Sequence, residues 1–226
     1  MLGKLFTTLG LGASIAKSSE PPYTPYQSSA ANEIYNLLFC DDQAAFKPQE
    51  GEISNTWQTI LFAEPANRGA LLALASDSSQ EGRIRYLAYS RLRALGENLP
   101  AKVLLGVIVE VSMASGLDVL AAFSEGGVRY INRTGECVIF EGELVLKPYA
   151  EKLLAKSRSV VAHIGPWQEL RRSPPKIDNI RLTFLVSDGL YFGEGAMSVM
   201  QNEAMAGPVI ESATELLQAV ITSAGE

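Results

Sequence analysis

The chain has 226 residues, of which 47% are hydrophobic and 19% are charged, and its formal net charge is −6. This composition is too apolar for an intrinsically disordered chain, and it supplies enough apolar residues for a substantial core. The acidic balance disfavours non-specific nucleic-acid binding, which needs clustered lysine and arginine to neutralise phosphates. No nucleic-acid partner is therefore expected.

Residues 1–27 are predicted to be an N-terminal segment and a proline-rich linker that precede the folded domain. Residues 1–17 place apolar residues at helical spacing but include three glycines. This pattern leaves three alternatives open: a helix that is ordered or docked on a partner, a disordered segment, or a segment for export or peripheral membrane contact. Pro21, Pro22 and Pro25 then favour extended chain. No apolar run reaches 18 residues, so no integral membrane span is expected.

Residues 28–99 are predicted to be the helical half of the domain. Ser28 or Ser29 is a suitable N-cap for the first helix, because a serine side chain can accept a hydrogen bond from a free backbone amide. Asp41 to Gly51 is expected to be a loop. The apolar spacing predicts three further helices, which cover 54–62, 66–76 and a stretch after 77–79 that ends at Gly96.

Residues 100–226 are predicted to be the sheet-and-helix half. The stretch 102–111, KVLLGVIVEV, is too apolar to alternate, which is typical of a strand covered on both faces. The turn signals and apolar patterns predict the remaining elements in chain order: strands at 117–125, 128–132 and 137–140, a helix at 148–164 with Tyr149 on its apolar stripe, a strand at 180–187, a short return strand at 190–192, and a helix from Pro208.

This element order predicts an α+β fold in residues 28–226. The sheet is expected to be antiparallel, with a four-strand meander and a C-terminal hairpin, and to be packed with helices. The all-helical N-terminal region precedes it. Because the helices of residues 28–99 carry apolar stripes of their own, they are expected to pack on the same sheet rather than form an independent domain.

The motifs give little support for catalysis, so no catalytic residue, metal site or cofactor is predicted. His163 is the single histidine, and Ser-His-Asp or Cys-His chemistry needs a histidine oriented by a third group. Cys40 and Cys137 are too far apart in sequence to suggest a zinc motif or a disulfide framework. The carboxylates of Asp41 and Asp42 are expected to raise the pKa of the Cys40 thiol. A reducing cytoplasm is the predicted compartment.

The stretch 187–200, SDGLYFGEGAMSVM, is the most distinctive in the chain. Gly193-Glu194-Gly195 is predicted to be a turn between the return strand and a helix, because Glu194 would oppose a bound anion. Methionine and aromatic side chains are common at partner-binding surfaces and also fill core gaps, which is the alternative. The candidate residues for contact with a partner or ligand are Tyr191, Phe192, Glu194, Met197 and Met200.

Arg171, Arg172 and Lys176 form a second candidate in a proline-containing loop. Such a basic loop can meet an acidic partner, and the alternative is an ordinary solvated loop.

The leading hypothesis is a non-enzymatic protein-protein interaction or assembly module, which binds another protein or itself. The alternative is an enzyme or small-ligand-binding protein with a pocket near residues 187–200 and 129–137. That pocket would use Asp188, Tyr191 or Glu194 as its polar groups. A third hypothesis, peripheral membrane contact through residues 1–17, would be tested by liposome flotation with and without that segment.

Overall fold

A computed structural model describes residues 22–49 and 51–225 of the protein. The predictions for residues 1–17 lie outside this part of the chain. The helices and strands, in chain order and with their bounds, are α1 (Ser29–Leu37), a 3₁₀ turn (Gln43–Phe46), α2 (Thr56–Leu61), α3 (Arg68–Ser76), α4 (Gly82–Ala94), β1 (Leu104–Met113), β2 (Gly116–Phe123), β3 (Val128–Ile131), β4 (Cys137–Phe140), α5 (Lys147–His163), β5 (Asn179–Val186), β6 (Gly189–Ala196), α6 (Met197–Met200) and α7 (Ala206–Ala224).

The six strands form one antiparallel sheet in the order β4-β3-β2-β1-β5-β6. Strands β1 to β4 follow one another as a meander, and β5 and β6 form a hairpin that pairs with β1. Short connections favour this arrangement, because the hairpins are joined by two to five residues and such loops link antiparallel neighbours. The predicted α+β fold is confirmed. No helix in residues 22–49 and 51–225 is long and apolar enough to cross a membrane.

Helices cover both faces of the sheet. On one face, α1 to α4 pack on Leu105, Ile108 and Phe123. On the other face, α5 and α7 pack on Val107 and Val109. From Val107 to Val109, successive residues of β1 enter the two cores in turn, because successive side chains of a strand point to opposite faces. Leu105 departs from this alternation, because the register of β1 against β5 shifts between Leu104 and Gly106. This double coverage accounts for the nearly continuous apolar run of β1, as the sequence predicts.

The chain just before α1 also joins the first core. Tyr26 is buried, and its hydroxyl donates a hydrogen bond to the carbonyl oxygen of Leu117 at 3.0 Å. The helix itself begins as predicted, because the Ser28 side chain accepts a hydrogen bond from the amide of Ala31 at 3.3 Å. Residues 22–28 thus hold the start of α1 against the sheet.

The predicted turn at Gly193-Glu194-Gly195 is wrong. These residues lie inside β6, which is eight residues long and pairs with β5 over its whole length. Gly193 and Gly195 face α6, and a Cβ atom at Gly195 would lie 3.1 Å from Met200 Cγ. The glycines therefore leave room for the Met200 side chain against the strand, instead of forming a turn.

Smaller differences concern the helices. Tyr149 is 39% exposed and lies outside the apolar stripe of α5 on which the sequence places it. The last helix begins at Ala206, two residues before the predicted start at Pro208. Helix ends are set by local hydrogen bonds that periodicity does not resolve to the residue.

The contact of α4 with β1 gives a test of the fold. Gly82 begins α4, and a Cβ atom there would lie 2.2 Å from the carbonyl oxygen of Leu105. Because backbone atoms cannot move aside cheaply, we expect Gly82→Ala to lower the free energy of unfolding by about 2 kcal/mol. Urea denaturation monitored by circular dichroism would measure the loss.

Gly69→Ala is the matched control in α3, where the added Cβ atom would lie 3.6 Å from its nearest neighbour, Asn67 Oδ1. We expect this substitution to raise the free energy of unfolding by about 0.5–1 kcal/mol, because alanine is the better helix former. Equal effects of the two substitutions would contradict the close contact at Gly82.

Candidate functional site

Three ionisable side chains lie side by side on β1, β5 and β6, from the centre of the sheet to its edge. Glu110 of β1 is the register partner of Arg181 of β5, which is in turn the register partner of Glu194 of β6. Register partners in antiparallel strands project to the same face. Arg181 Nη2 lies 2.8 Å from Glu194 Oε2, whereas Arg181 Nη1 lies 3.6 Å from Glu110 Oε2. The guanidinium is therefore shared by two carboxyl groups, and it is closer to Glu194.

Glu110 is the buried end of this row. Its side chain has no exposed surface, and its Oε1 atom accepts a hydrogen bond of 2.7 Å from the Tyr35 hydroxyl of α1. Burial raises the pKa of Glu110 above the ordinary value of 4.5, and Arg181 offsets this only in part. Burial also raises the pKa of Tyr35, which keeps its hydroxyl protonated as the donor.

The loop of residues 164–178, between α5 and β5, covers the face of β5 and β6 next to this row. Arg181 donates hydrogen bonds to the carbonyl oxygens of Arg172 at 3.2 Å and Ser173 at 2.6 Å. At its other end, the backbone amide of Trp167 donates to the carbonyl oxygen of Leu190 at 2.7 Å. The loop is thus attached to the sheet both through a buried side chain and through its own backbone, which also donates from Asp178 to the carbonyl oxygen of Ser112 at 2.8 Å.

Arg171 fastens the same loop to α1. Its Nε atom lies 2.7 Å from Asp41 Oδ2, and its Nη2 atom donates to Asn36 Oδ1 at 2.8 Å. The guanidinium carbon also lies 4.1 Å from the ring centre of Phe39 and 4.9 Å from that of Tyr23, as in cation–π contacts. The Arg171 guanidinium is therefore bound to groups of the protein itself.

Arg172 points to a different environment. Its guanidinium carbon lies 4.7 Å from the ring centre of Trp167 and 5.3 Å from that of Phe192, and these two rings pack edge to face. Among the described residues, no carboxylate lies within 4.0 Å of the Arg172 guanidinium. The aromatic rings fix the position of this cation without neutralising it.

The 164–178 loop, β5 and β6 form an open groove with a volume of about 770 Å³, which we call the basic groove. Leu170, Ser173 and Pro174 contribute to its wall. Its charged lining residues are the basic Arg171, Arg172, Lys176 and Arg181 and the acidic Glu169 and Glu194. A separate cavity beneath Trp167 has a volume of about 10 Å³, which is room for one water molecule. The basic groove is therefore the larger of the two recesses.

The structure divides the five residues predicted for partner or ligand contact between the two faces of the sheet. Phe192 supports Arg172 beside the basic groove, and Glu194 lines the groove. Tyr191 is fully buried on the other face, and Met197 and Met200 pack against the same core as Tyr191. The alternation of side chains along β6 separates Tyr191 from Phe192 and Glu194. Met197 and Met200 belong to α6, which packs on the face of Tyr191.

The residues suggested for an alternative pocket do not come together. The Tyr191 hydroxyl donates to Asp188 Oδ2 at 2.9 Å. These two polar groups therefore bind each other, three residues apart in the chain. Residues 129–137 begin in β3, and β2, β1 and β5 separate β3 from β6. Four interstrand spacings amount to about 19 Å. Sequence order does not reveal this separation, because β5 inserts beside β1.

The remaining reactive side chains offer little for catalysis. His163 is exposed at the end of α5, and its Nδ1 atom lies 2.7 Å from the carbonyl oxygen of Ser159. Burial is the largest cause that raises the pKa of Cys40, and Asp41 adds a smaller contribution. Within residues 22–49 and 51–225, no group of three His, Cys, Asp or Glu side chains is placed to hold a metal ion.

Sequence reasoning missed the buried row, although the chain carries a signal for it. Glu110 is the single charged residue of β1, and Arg181 is the single charged residue of β5. A lone charge in an otherwise apolar strand must find a partner or be neutralised. Two such strands in one sheet therefore indicate a pair.

Comparison with protein-family models, curated proteins and solved structures gives no match to this chain.

The raised pKa of Glu110 predicts how stability changes with pH. Above about pH 4.5 the unfolded chain releases this proton while the folded protein retains it. We therefore expect the wild-type free energy of unfolding to fall with rising pH, relative to Glu110→Gln, by at most about 1.4 kcal/mol per pH unit. This decline in the free energy of unfolding should end once the pH exceeds the pKa of Glu110 in the folded protein. Urea denaturation of both proteins from about pH 4 to about pH 8 would measure the difference.

Tyr35→Phe is the companion variant, because it removes the hydrogen bond that favours the ionised form of Glu110. We expect the decline to extend to higher pH in this variant. A wild-type free energy of unfolding that rises with pH relative to that of Glu110→Gln would contradict the raised pKa.

Proposed function

We propose that the protein is a non-enzymatic binding module that receives a segment of another protein in the basic groove. The observation that carries this proposal is the unneutralised Arg172 guanidinium, which two aromatic rings hold at an open groove. An arginine beside aromatic rings is the type of residue that contributes most to protein-protein binding. Leu170 is 43% exposed and adds an apolar contact in the same groove.

The state of the polar groups beneath the groove argues against an enzyme. Arg181 is bound to Glu194 and to two loop carbonyl oxygens, and Tyr35 is bound to Glu110. A general base must come within hydrogen-bond reach of its substrate. Glu110 has no exposed surface from which to do so. These groups therefore support the walls of the groove, and Glu110 and Tyr35 are held away from it.

The attachment of the 164–178 loop also favours binding. Arg171 connects the loop to α1, and Arg181 connects it to the sheet. A groove whose walls are already fixed loses less conformational entropy when a partner binds. The partner can be another protein or a second copy of this chain.

A small-ligand receptor is the second candidate, because the groove volume of about 770 Å³ lies within the usual range for ligand pockets. Native mass spectrometry of the purified protein would detect a retained small molecule. The openness of the groove to solvent favours a macromolecular segment instead.

We place the protein in the cytoplasm. Cys40 and Cys137 are both free thiols, and Cys40 is buried. Proteins of oxidising compartments more commonly use their cysteines in disulfides.

Leu170→Asp tests the groove as a protein-binding surface. We expect affinity capture from a lysate of the source organism to retain a stoichiometric partner on the wild type. Capture by Leu170→Asp should be reduced at least about tenfold, because an apolar contact is replaced by a charge. Leu144→Asp is the matched control, since Leu144 is 82% exposed and is remote from the groove lining.

Light scattering would show whether the partner is a second copy, because the chain mass is 24.4 kDa. A measured mass that is a multiple of 24.4 kDa in the wild type, but equals 24.4 kDa in Leu170→Asp, would identify self-association through the groove. Equal capture by wild type and Leu170→Asp, or loss only in Leu144→Asp, would refute the groove as the binding surface.

A further inference from the structure

The charges of the basic groove contrast with the charge of the whole chain. Four basic and two acidic residues line the groove, whereas the chain carries a formal net charge of −6. Of the basic residues, Arg171 pairs with Asp41, and Arg181 pairs with Glu194. Arg172 remains without a carboxylate partner among the described residues.

Lys176 is the second cation without a partner. It is exposed, it lines the groove, and no carboxylate of the described residues lies within 4.0 Å of its ammonium group. Arg172 and Lys176 thus present two positive charges on one wall. Such an excess attracts a negatively charged partner and accelerates its association.

The aromatic contacts of Arg172 leave its hydrogen-bonding groups available to an anion. Trp167 and Phe192 contact the guanidinium by cation–π interactions, which use the faces of the rings and not the hydrogen-bonding capacity of the arginine. The guanidinium N–H groups remain suited to the two oxygens of a carboxylate, which they bind as a fork. Neutral side chains would leave both cations unpaired.

We infer that the partner segment is acidic: one Asp or Glu carboxylate binds Arg172, a second lies near Lys176, and a neighbouring apolar side chain packs on Leu170. This inference rests on the proposed function and names the chemistry of its partner. Glu169 lies in the same groove and repels such a segment. It limits the density of acidic residues that the groove accepts.

The test is a selection from a displayed library of random ten-residue peptides against the full-length protein. We expect Asp and Glu to be enriched, with an adjacent apolar residue, in peptides selected by the wild type. Arg172→Gln should lose this enrichment. Arg158→Gln is the matched control, because Arg158 is an exposed arginine of α5 outside the groove lining.

Three outcomes are distinguishable. Acidic peptides that depend on Arg172 support the inference. Peptides that are not acidic, but whose binding is lost in Leu170→Asp, overturn the acidic partner and leave the proposed function intact. A selection that yields no peptide dependent on Leu170 or Arg172 overturns both.

Fluorescence anisotropy of the best selected peptide then measures the contribution of each charge. We expect Arg172→Gln to weaken binding about tenfold and Arg172→Lys to weaken it by less, because lysine keeps the charge but not the fork. Glu169→Gln should tighten binding about twofold, through the loss of a like charge at the rim. Thermal unfolding of each variant would show that the fold is intact.

An oligodeoxynucleotide of equal net charge distinguishes carboxylate recognition from general attraction of polyanions. We expect it to compete at least about tenfold more weakly than the selected peptide at equal ionic strength. Equal competition would overturn the inference, because the groove would then recognise negative charge alone, without the apolar contact that Leu170 offers.

Discussion

Arg181 is the side chain on which the candidate site depends. It lies between two carboxyl groups, Glu110 and Glu194, and it also binds two carbonyl oxygens of the 164–178 loop. A buried guanidinium is costly unless charges and hydrogen bonds surround it. This requirement joins β1, β5, β6 and the loop in one polar cluster, and loss of Arg181 would remove the cation that Glu110 and Glu194 share.

The same cluster determines the shape of the surface above it. Because Arg181 and Arg171 hold the 164–178 loop on the sheet and on α1, the loop stands as a wall beside β5 and β6. Arg172 extends from this wall and is supported by Trp167 and Phe192. Arg171, Arg172 and Arg181 are neighbours, but they make different contacts. Two of them stabilise the interior, and the third faces the groove.

The sequence predicts much of the fold and little of the site. The apolar run of β1 correctly indicates a strand covered on both faces, and the turn signals correctly indicate the meander. The glycines of β6 mislead, because glycine is compatible both with a turn and with close packing of Met200 on a strand. Phe192 and Glu194 lie at the groove, whereas Tyr191 faces the opposite core. Only the assignment of these residues to one continuous strand reveals that division.

The sequence by itself determines the fold class, because hydrophobic period and turn chemistry are local properties. It also supplies a lone charge in each of two apolar strands, Glu110 and Arg181. Only the tertiary structure decides that these charges are neighbours, since the pairing of β5 with β1 joins residues 71 positions apart and depends on packing of the whole sheet. The basic groove follows from that pairing, because it arises where the 164–178 loop crosses the hairpin that the pairing places at the edge of the sheet.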